Sequence, residues 1–228
     1  MDAELFERSI QEDIMIEFVL RARKATTYAG FDFNNLPKAG NMNIVSSAVS
    51  SAIWVSEDIR KNVIFHAVLE GPPAGPKTVT FNSSEIKGFG YDERSIAEHI
   101  RFALQKSGWL ELNEEVRVRK GVTAAKKSFE RLVWECSQRG TIYVLDSKGK
   151  DIREAEIGKN PVFVLGDFLG LPGKTEKFLS KIPHTKISLG PRVLFASHCP
   201  VLVHNEIDRR FRSISAEASI KPATEVVG

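Results

Sequence analysis

The sequence predicts an α/β protein, a mostly parallel sheet flanked by helices, and three observations carry that expectation. Short apolar runs, MIEFVL at 15–20, NVIFHAVL at 62–69 and PVFVLG at 161–166, are nearly unbroken, as strands covered on both faces are. Between them stand longer segments whose apolar residues recur at helical spacing. In the last third, TIYVLD, PVFVLGD and TKISLG each lead into polar or glycine-bearing loops. That rhythm predicts parallel strands with a ligand site beyond their carboxyl ends.

Taken in order, Met15 to Leu20 is bounded by the basic RARK and reads as the first strand, and TTYAGFDFNNLPKAG, rich in Gly, Asn and Pro, reads as a loop. Ile44, Ala48, Ala52 and Val55, with Trp54 beside them, mark a helix that Asn41 or Asn43 caps. Asn62 to Gly71 returns to a strand. GPPAGPK is a turn, and KTVTFNSSEIKGF alternates like a strand before turning near Asn82 and Ser83. Asp92 caps a helix reaching about Lys106, with Ile96, Ile100 and Leu104 on one face. Glu115 to Lys120 reads as a strand with alternating basic residues, and Ala124 to Gly140 as a helix stopped by its glycine. After the last strand, Ser197 caps a closing helix with Pro200 in its first turn, where a missing N–H costs little. Cys199, Leu202, Val203, Ile207 and Phe211 form its apolar stripe, and SISAEASIKPATEVVG reads as a frayed tail.

The 228 residues, 42% hydrophobic and 27% charged, have the composition of an ordinary soluble globular chain. No apolar run approaches the roughly 20 residues that span a bilayer. MDAELFERSIQED is too acidic for a signal or transit peptide, so the reading is cytoplasmic, without membrane. Two cysteines, Cys136 and Cys199, make no disulfide framework. Residues 1–14 hold five acids against Arg8, a net −4, so the total of +3 leaves +7 on the remainder, a balance that permits an anionic partner such as RNA.

Within Pro161 to Leu179 the GKT at 173–175 suggests a phosphate cradle. A P-loop needs glycine five positions before its GK pair, and Phe168 stands there, with Gly166 and Gly170 at the wrong distances. Asp167, directly after the strand, would also repel a polyphosphate. The predicted rim instead comprises Leu145, Asp146, Gly166, Asp167, Leu189 and Gly190, and the residues alone support a nucleotide-like ligand there. His198, Cys199 and His204 fall short of the four ligands of structural zinc, so no metal is expected.

PVFVLGD followed by KISLGPRVLFASHCPVLVHNEIDRR resembles the C-terminal signature of the archaeal-type tRNA pseudouridine N1-methyltransferases of the SPOUT superfamily. Upstream, RARKATTYAGFDFNNLPKAGNMNIV, DIRKNVIFHAVLEGPP and YDERSIAEHIRFAL resemble that family's N-terminal pattern, with SED at 56–58 where it carries Ser-His-Gly. The resemblance covers residues 15–211, leaving an acidic extension at 1–14 and a tail at 212–228. It implies a SPOUT-type sheet with a C-terminal trefoil knot, a knot and cofactor region at about 141–211, and a homodimer. It also implies S-adenosylmethionine bound by Leu145, Gly166, Ile187, Ser188, Leu189, Gly190, Leu194 and Cys199, so that the loop holding GKT suits an adenosyl group and Lys174 and Thr175 merely begin a solvated helix. The implied reaction moves a methyl group to N1 of a pseudouridine in the tRNA T-loop. Asp167 is then a candidate acceptor for the N1 proton, and Arg21, Arg23, Lys24, Arg60 and Arg101 are candidate RNA phosphate contacts. A noncatalytic RNA-binding or assembly module of the same fold, and a methyltransferase of ribosomal RNA, are the alternatives.

Overall fold

The structure, a computed structural model, describes residues 14–56 and 58–219, with side chains through residue 210. The acidic extension, apart from Ile14, lies outside the described residues, as do the side chain of Phe211 and the end of the tail. Eight strands form one sheet in the order β4-β5-β3-β2-β1-β7-β6-β8. They are β1 (Ile16–Ala22), β2 (Val63–Leu69), β3 (Lys77–Asn82), β4 (Glu115–Arg119), β5 (Val122–Ala125), β6 (Thr141–Asp151), β7 (Pro161–Gly166) and β8 (His184–Ser188). The helices are α1 (Met42–Ile53), α2 (Glu93–Lys106), α3 (Phe129–Ser137), α4 (Gly173–Leu179) and α5 (His198–Ser219), and a 3-10 turn spans Phe33–Ala39.

The first strand among the described residues lies in the middle of the sheet. β1 pairs in parallel with β2 on one side and β7 on the other, and β6 pairs in parallel with both β7 and β8. The β2, β3, β5 and β4 pairings are antiparallel. Side chains alternate across β1, so Phe18 and Leu20 enter one core and Val19 the other. Phe18 stacks on Phe163 at 5.7 Å and meets the His204 ring edge-on at 5.2 Å, which ties β1, β7 and α5 together. The larger core packs α1, α2 and α5 on one face of the sheet, and a second core packs α3 and α4 on the other. Burial on both faces is why these central strands read as continuous apolar runs.

Three local expectations are corrected. Ala124 and Ala125 belong to strand β5, between β3 and β4, and the helix starts only after Ser128, whose hydroxyl accepts from the Arg131 N–H at 3.2 Å. Two alanines favour helix locally, and pairing on both edges overrides that preference. Asn41 precedes α1 in the left-handed region at φ 62 and its side chain makes no capping bond, while Asn43 is already helical. The first residues of the tail, through Ser219, continue α5. No helix among the described residues is long and apolar enough to cross a membrane.

Candidate active site

β6 does not end at Leu145 as expected but runs on to Asp151, with an irregularity between Leu145 and Lys150, and that irregularity comes together with the turns after β7 and β8. Leu145, Gly166 and Gly190, predicted to share a rim, line one cavity of about 470 Å³ with Asp146, Asp167, Ile187, Leu189, Leu194 and Cys199. Ser188 is the one predicted cofactor residue outside the lining. Its hydroxyl donates to the Gly190 carbonyl at 3.0 Å and accepts from the Gly190 N–H at 3.2 Å, which fixes the turn after β8.

Glycine is required where these turns meet. A methyl group on Gly166 would stand 2.6 Å from the carbonyl carbon of Gly170, so the main chain closes on itself there. Gly190, at φ 131, adopts a conformation that side chains other than glycine's strain to reach. The wall is largely apolar, with Leu145, Leu165, Leu171, Ile187 and Leu189 among its members. Its ionic side chains are Asp146, Asp167 and Glu176 against Lys186 and Arg192, a net −1. Lys186 lies 3.0 Å from Asp146 and 3.7 Å from Glu176. The Lys148 N–H, then Lys186, hold the Asp146 carboxyl below its usual range.

Asp167 is engaged through both carboxylate oxygens. Oδ1 accepts from the Leu169 N–H and Oδ2 from the Arg23 N–H, each at 2.9 Å, while its own N–H donates to the Arg21 carbonyl at 3.2 Å. The residue thereby clips the loop after β7 to the end of β1. Cys199 opens α5 beside the cavity, and burial pushes its thiol up to about 11.

The five basic candidates for RNA divide. Lys24 is exposed, 5.6 Å over the exposed ring of Phe168, and Arg23 is half-buried beside it, on the Asp167 side. Arg101 lies 4.1 Å over Phe33. Arg60 forms a fork with Asp208 at 3.1 and 2.7 Å, and Arg21 is ion-paired with Glu70 and Glu130 at 2.8 and 2.9 Å. Those last two are occupied inside the fold. Thr175, expected on a solvated helix, is fully buried, whereas Lys174 is exposed. Glu176 and Lys186 escaped sequence reasoning, since a charged residue in a short helix or strand carries no mark of facing a cavity.

The His198, Cys199 and His204 set does not converge. His204 is buried with Nε2 on the Ala52 carbonyl at 2.8 Å, and burial, then Arg60, push its imidazole down to about 3. Among the described residues, Glu17, His66 and Cys136 are the only such group close enough to share an ion. Arg139 already occupies that position, donating to both Glu17 oxygens at 3.0 and 2.8 Å, with His66 on Glu17 at 3.1 Å. A guanidinium there leaves no place for a second cation.

Residues 15–211 match the sequence model of the family described as "Putative SAM-dependent RNA methyltransferase". The chain is 37% identical over 203 residues to the tRNA (pseudouridine(54)-N(1))-methyltransferase of Methanocaldococcus jannaschii, covering 86% of this chain and 98% of that protein. It is 40% identical over 204 residues to the enzyme of the same name from Methanococcus aeolicus, with the same coverage. Among solved structures, the fold is similar to Archaeoglobus fulgidus Nep1 bound to S-adenosylhomocysteine, at a TM-score of 0.52 and 8% identity, covering 88% of this chain and 99% of that one. A family match spanning the whole of the sheet and its helices as far as residue 211, supported by relatives aligned over nearly their full length, makes this chain a member of that family of SAM-dependent RNA methyltransferases.

Proposed function

We propose that the chain transfers a methyl group from S-adenosylmethionine to N1 of a pseudouridine in tRNA, as its relatives' names describe for them. The observation that carries this reading is the meeting of the irregularity of β6 after Leu145 with the ends of β7 and β8 in a single cavity whose lining is largely apolar and net negative. Its volume of about 470 Å³ falls within the usual range for small-molecule sites. Glycine main chain at 166 and 190 admits close approach, leucine side chains offer apolar surface to a base, and the net negative lining suits a cationic group and disfavours a polyphosphate. Leu145, Gly166, Ile187, Leu189, Gly190, Leu194 and Cys199 would hold the cofactor, with Ser188 fixing their turn. When bound, S-adenosylmethionine supplies an electrophilic methyl on its sulfonium.

The protein's part is positioning, because the N1 lone pair has to stand in line with that methyl. Asp167 holds the loop through its two main-chain bonds. Each of its oxygens retains an acceptor lone pair, so the same carboxylate is the candidate acceptor of the N1 proton. Asp167→Asn that transfers methyl at the wild-type rate with unchanged cofactor affinity would remove it from that role. Lys24 and Arg23, with Arg101 further off, are the basic residues proposed for RNA phosphates. Binding to tRNA is therefore expected to weaken steeply with added salt, and a flat response would count against them.

The finer features rest on the family resemblance and on what is exposed. Val193 and Phe195 are 90% and 67% exposed in the turn before α5, and Val201 and Leu202 on its first turns are exposed too. An apolar run of that kind beside a ligand cavity supports a homodimer that covers it. The trefoil knot about residues 141–211, the boundaries at 14 and 212, and a cytoplasmic location belong to the same proposal. Calorimetry with S-adenosylmethionine, followed by methyl incorporation into tRNA containing pseudouridine against tRNA with uridine at that position, tests the whole. No heat of binding, or equal incorporation into both RNAs, would overturn it.

A further inference from the structure

Thr175 stands in the first turn of α4 between exposed neighbours, Lys174 and Glu176, yet its own exposure is 0%. Arg21 accounts for it, since its guanidinium donates to the Thr175 hydroxyl. The same guanidinium donates to Glu70 at 2.9 and 2.8 Å and to Glu130 at 2.9 Å, and lies 4.7 Å over the Phe129 ring. One side chain, 12% exposed, therefore joins the end of β1, the residue after β2, the first turn of α3 and the first turn of α4.

Arg21 also stands in register opposite Gly166, and its carbonyl accepts from the Asp167 N–H. Neither Arg21 nor any of these four side-chain partners lines the cavity. Glu176, next to Thr175, and Leu179, one turn on, do line it, as do Gly166 and Gly170 at the other end of the loop. A helix of seven residues cannot hold itself by internal bonds alone. α4 keeps its place through contacts outside it: Leu179 at its end enters the second core, and Arg21 grips its first turn.

We infer that Arg21 is a positioning residue, a latch that seats α4 on the sheet through Thr175 and so fixes the wall of the cavity from Gly166 to Leu179. The inference rests on that cavity being the cofactor site proposed above. It gives GKT a physical meaning without phosphate, because the threonine faces inward to be held while the lysine faces water. A planar fork of five N–H donors can serve two carboxylates and a hydroxyl at once, and an ammonium on a flexible stem cannot reproduce that geometry.

The test uses Arg21→Lys, Thr175→Val and Thr175→Ser in the full chain. Calorimetry gives the affinity for S-adenosylmethionine, filter binding gives the affinity for tRNA, and amide hydrogen exchange of the cofactor-free protein reports on residues 173–179. Thr175→Val keeps the shape and removes the acceptor. It is expected to speed exchange in 173–179, leave 93–106 unchanged, and weaken cofactor binding about tenfold. Arg21→Lys should do the same, and Thr175→Ser should restore wild-type values. Wild-type exchange in 173–179 for both Arg21→Lys and Thr175→Val would overturn the latch. So would a loss of tRNA affinity in Arg21→Lys at unchanged cofactor affinity, since that marks a direct RNA contact. If the wild-type protein does not bind the cofactor, the proposed function fails, and the exchange rates still decide the latch.

Discussion

Replacing Gly166 by alanine asks whether the main-chain contact at the cavity wall matters for binding. The new methyl would lie 2.6 Å from the Gly170 carbonyl carbon, 2.8 Å from its Cα and 2.9 Å from its oxygen. Carbon atoms in contact rest at about 3.5–4.0 Å, so the shortfall is roughly 1 Å. No rotamer relieves it, because every atom met is main chain. Overpacking of this kind costs about 1–3 kcal/mol. The loop escapes that cost by moving outward, and binding has to close it again. At about 1.4 kcal/mol per tenfold in affinity, the dissociation constant for S-adenosylmethionine should rise about 5- to 150-fold. Gly170→Ala is the comparison. Its φ of 65 strains any other residue, but nothing lies within 4 Å of the added methyl. Calorimetry with thermal denaturation of each variant separates affinity from stability. Gly166→Ala that melts as a folded protein and binds within about twofold of wild type would refute the role given to this contact.

Acid should destabilise the protein. His204 and His99, whose imidazoles burial pushes down to about 3 and about 4, take up protons on unfolding below their ordinary 6.5. Burial would raise Glu17, but hydrogen bonds from His66 and Arg139 outweigh it and hold its carboxyl at about 2, below 4.5. The unfolded state binds more protons in each case, so stability is complete above about pH 7 and is lost progressively between about 6.5 and 2. A urea midpoint that rises on acidification would contradict this. Glu17→Gln leaves Arg139 and His66 facing a neutral amide and should cost about 2–3 kcal/mol by urea denaturation; a midpoint equal to wild type would show that the buried pair contributes nothing. Cys136 is 0% exposed and burial, then Glu17, push its thiol up to about 12, so it should not react with a thiol reagent in the native protein at mild alkaline pH. Rapid labelling before unfolding would disprove it.

The rim was legible because strand ends and glycines are written locally. TIYVLD, PVFVLGD and TKISLG each show their own apolar run, and Leu145, Gly166 and Gly190 meet at one cavity, although the break after TIYVLD is an irregularity within β6, which continues to Asp151, and not the end of the strand. Helix starts with a polar cap were also legible at Asp92, whose carboxylate accepts from the Ser95 N–H at 2.9 Å. What depended on distant partners was not. β5 is a strand only because β3 and β4 lie on either side of it. Arg21 reads as one more surface cation in RARK until Glu70, Glu130 and Thr175 are brought around it from 49, 109 and 154 residues away. Asp167 reads as a candidate proton acceptor at a strand end, and only the structure shows which main-chain groups, the Arg23 and Leu169 N–H, its oxygens hold.

The place of β1 between β2 and β7 bears on how the chain is made. As it leaves the ribosome, the strand at 16–22 can zip to 63–69 early, but its other edge waits for 161–166. Throughout that interval a nascent polypeptide carries a naked, strongly apolar ladder of amide and carbonyl groups, the kind of surface that chaperones shield and that otherwise seeds aggregation. A translation arrest placed shortly before β7 emerges should therefore give nascent chains far more prone to self-association than one placed after it.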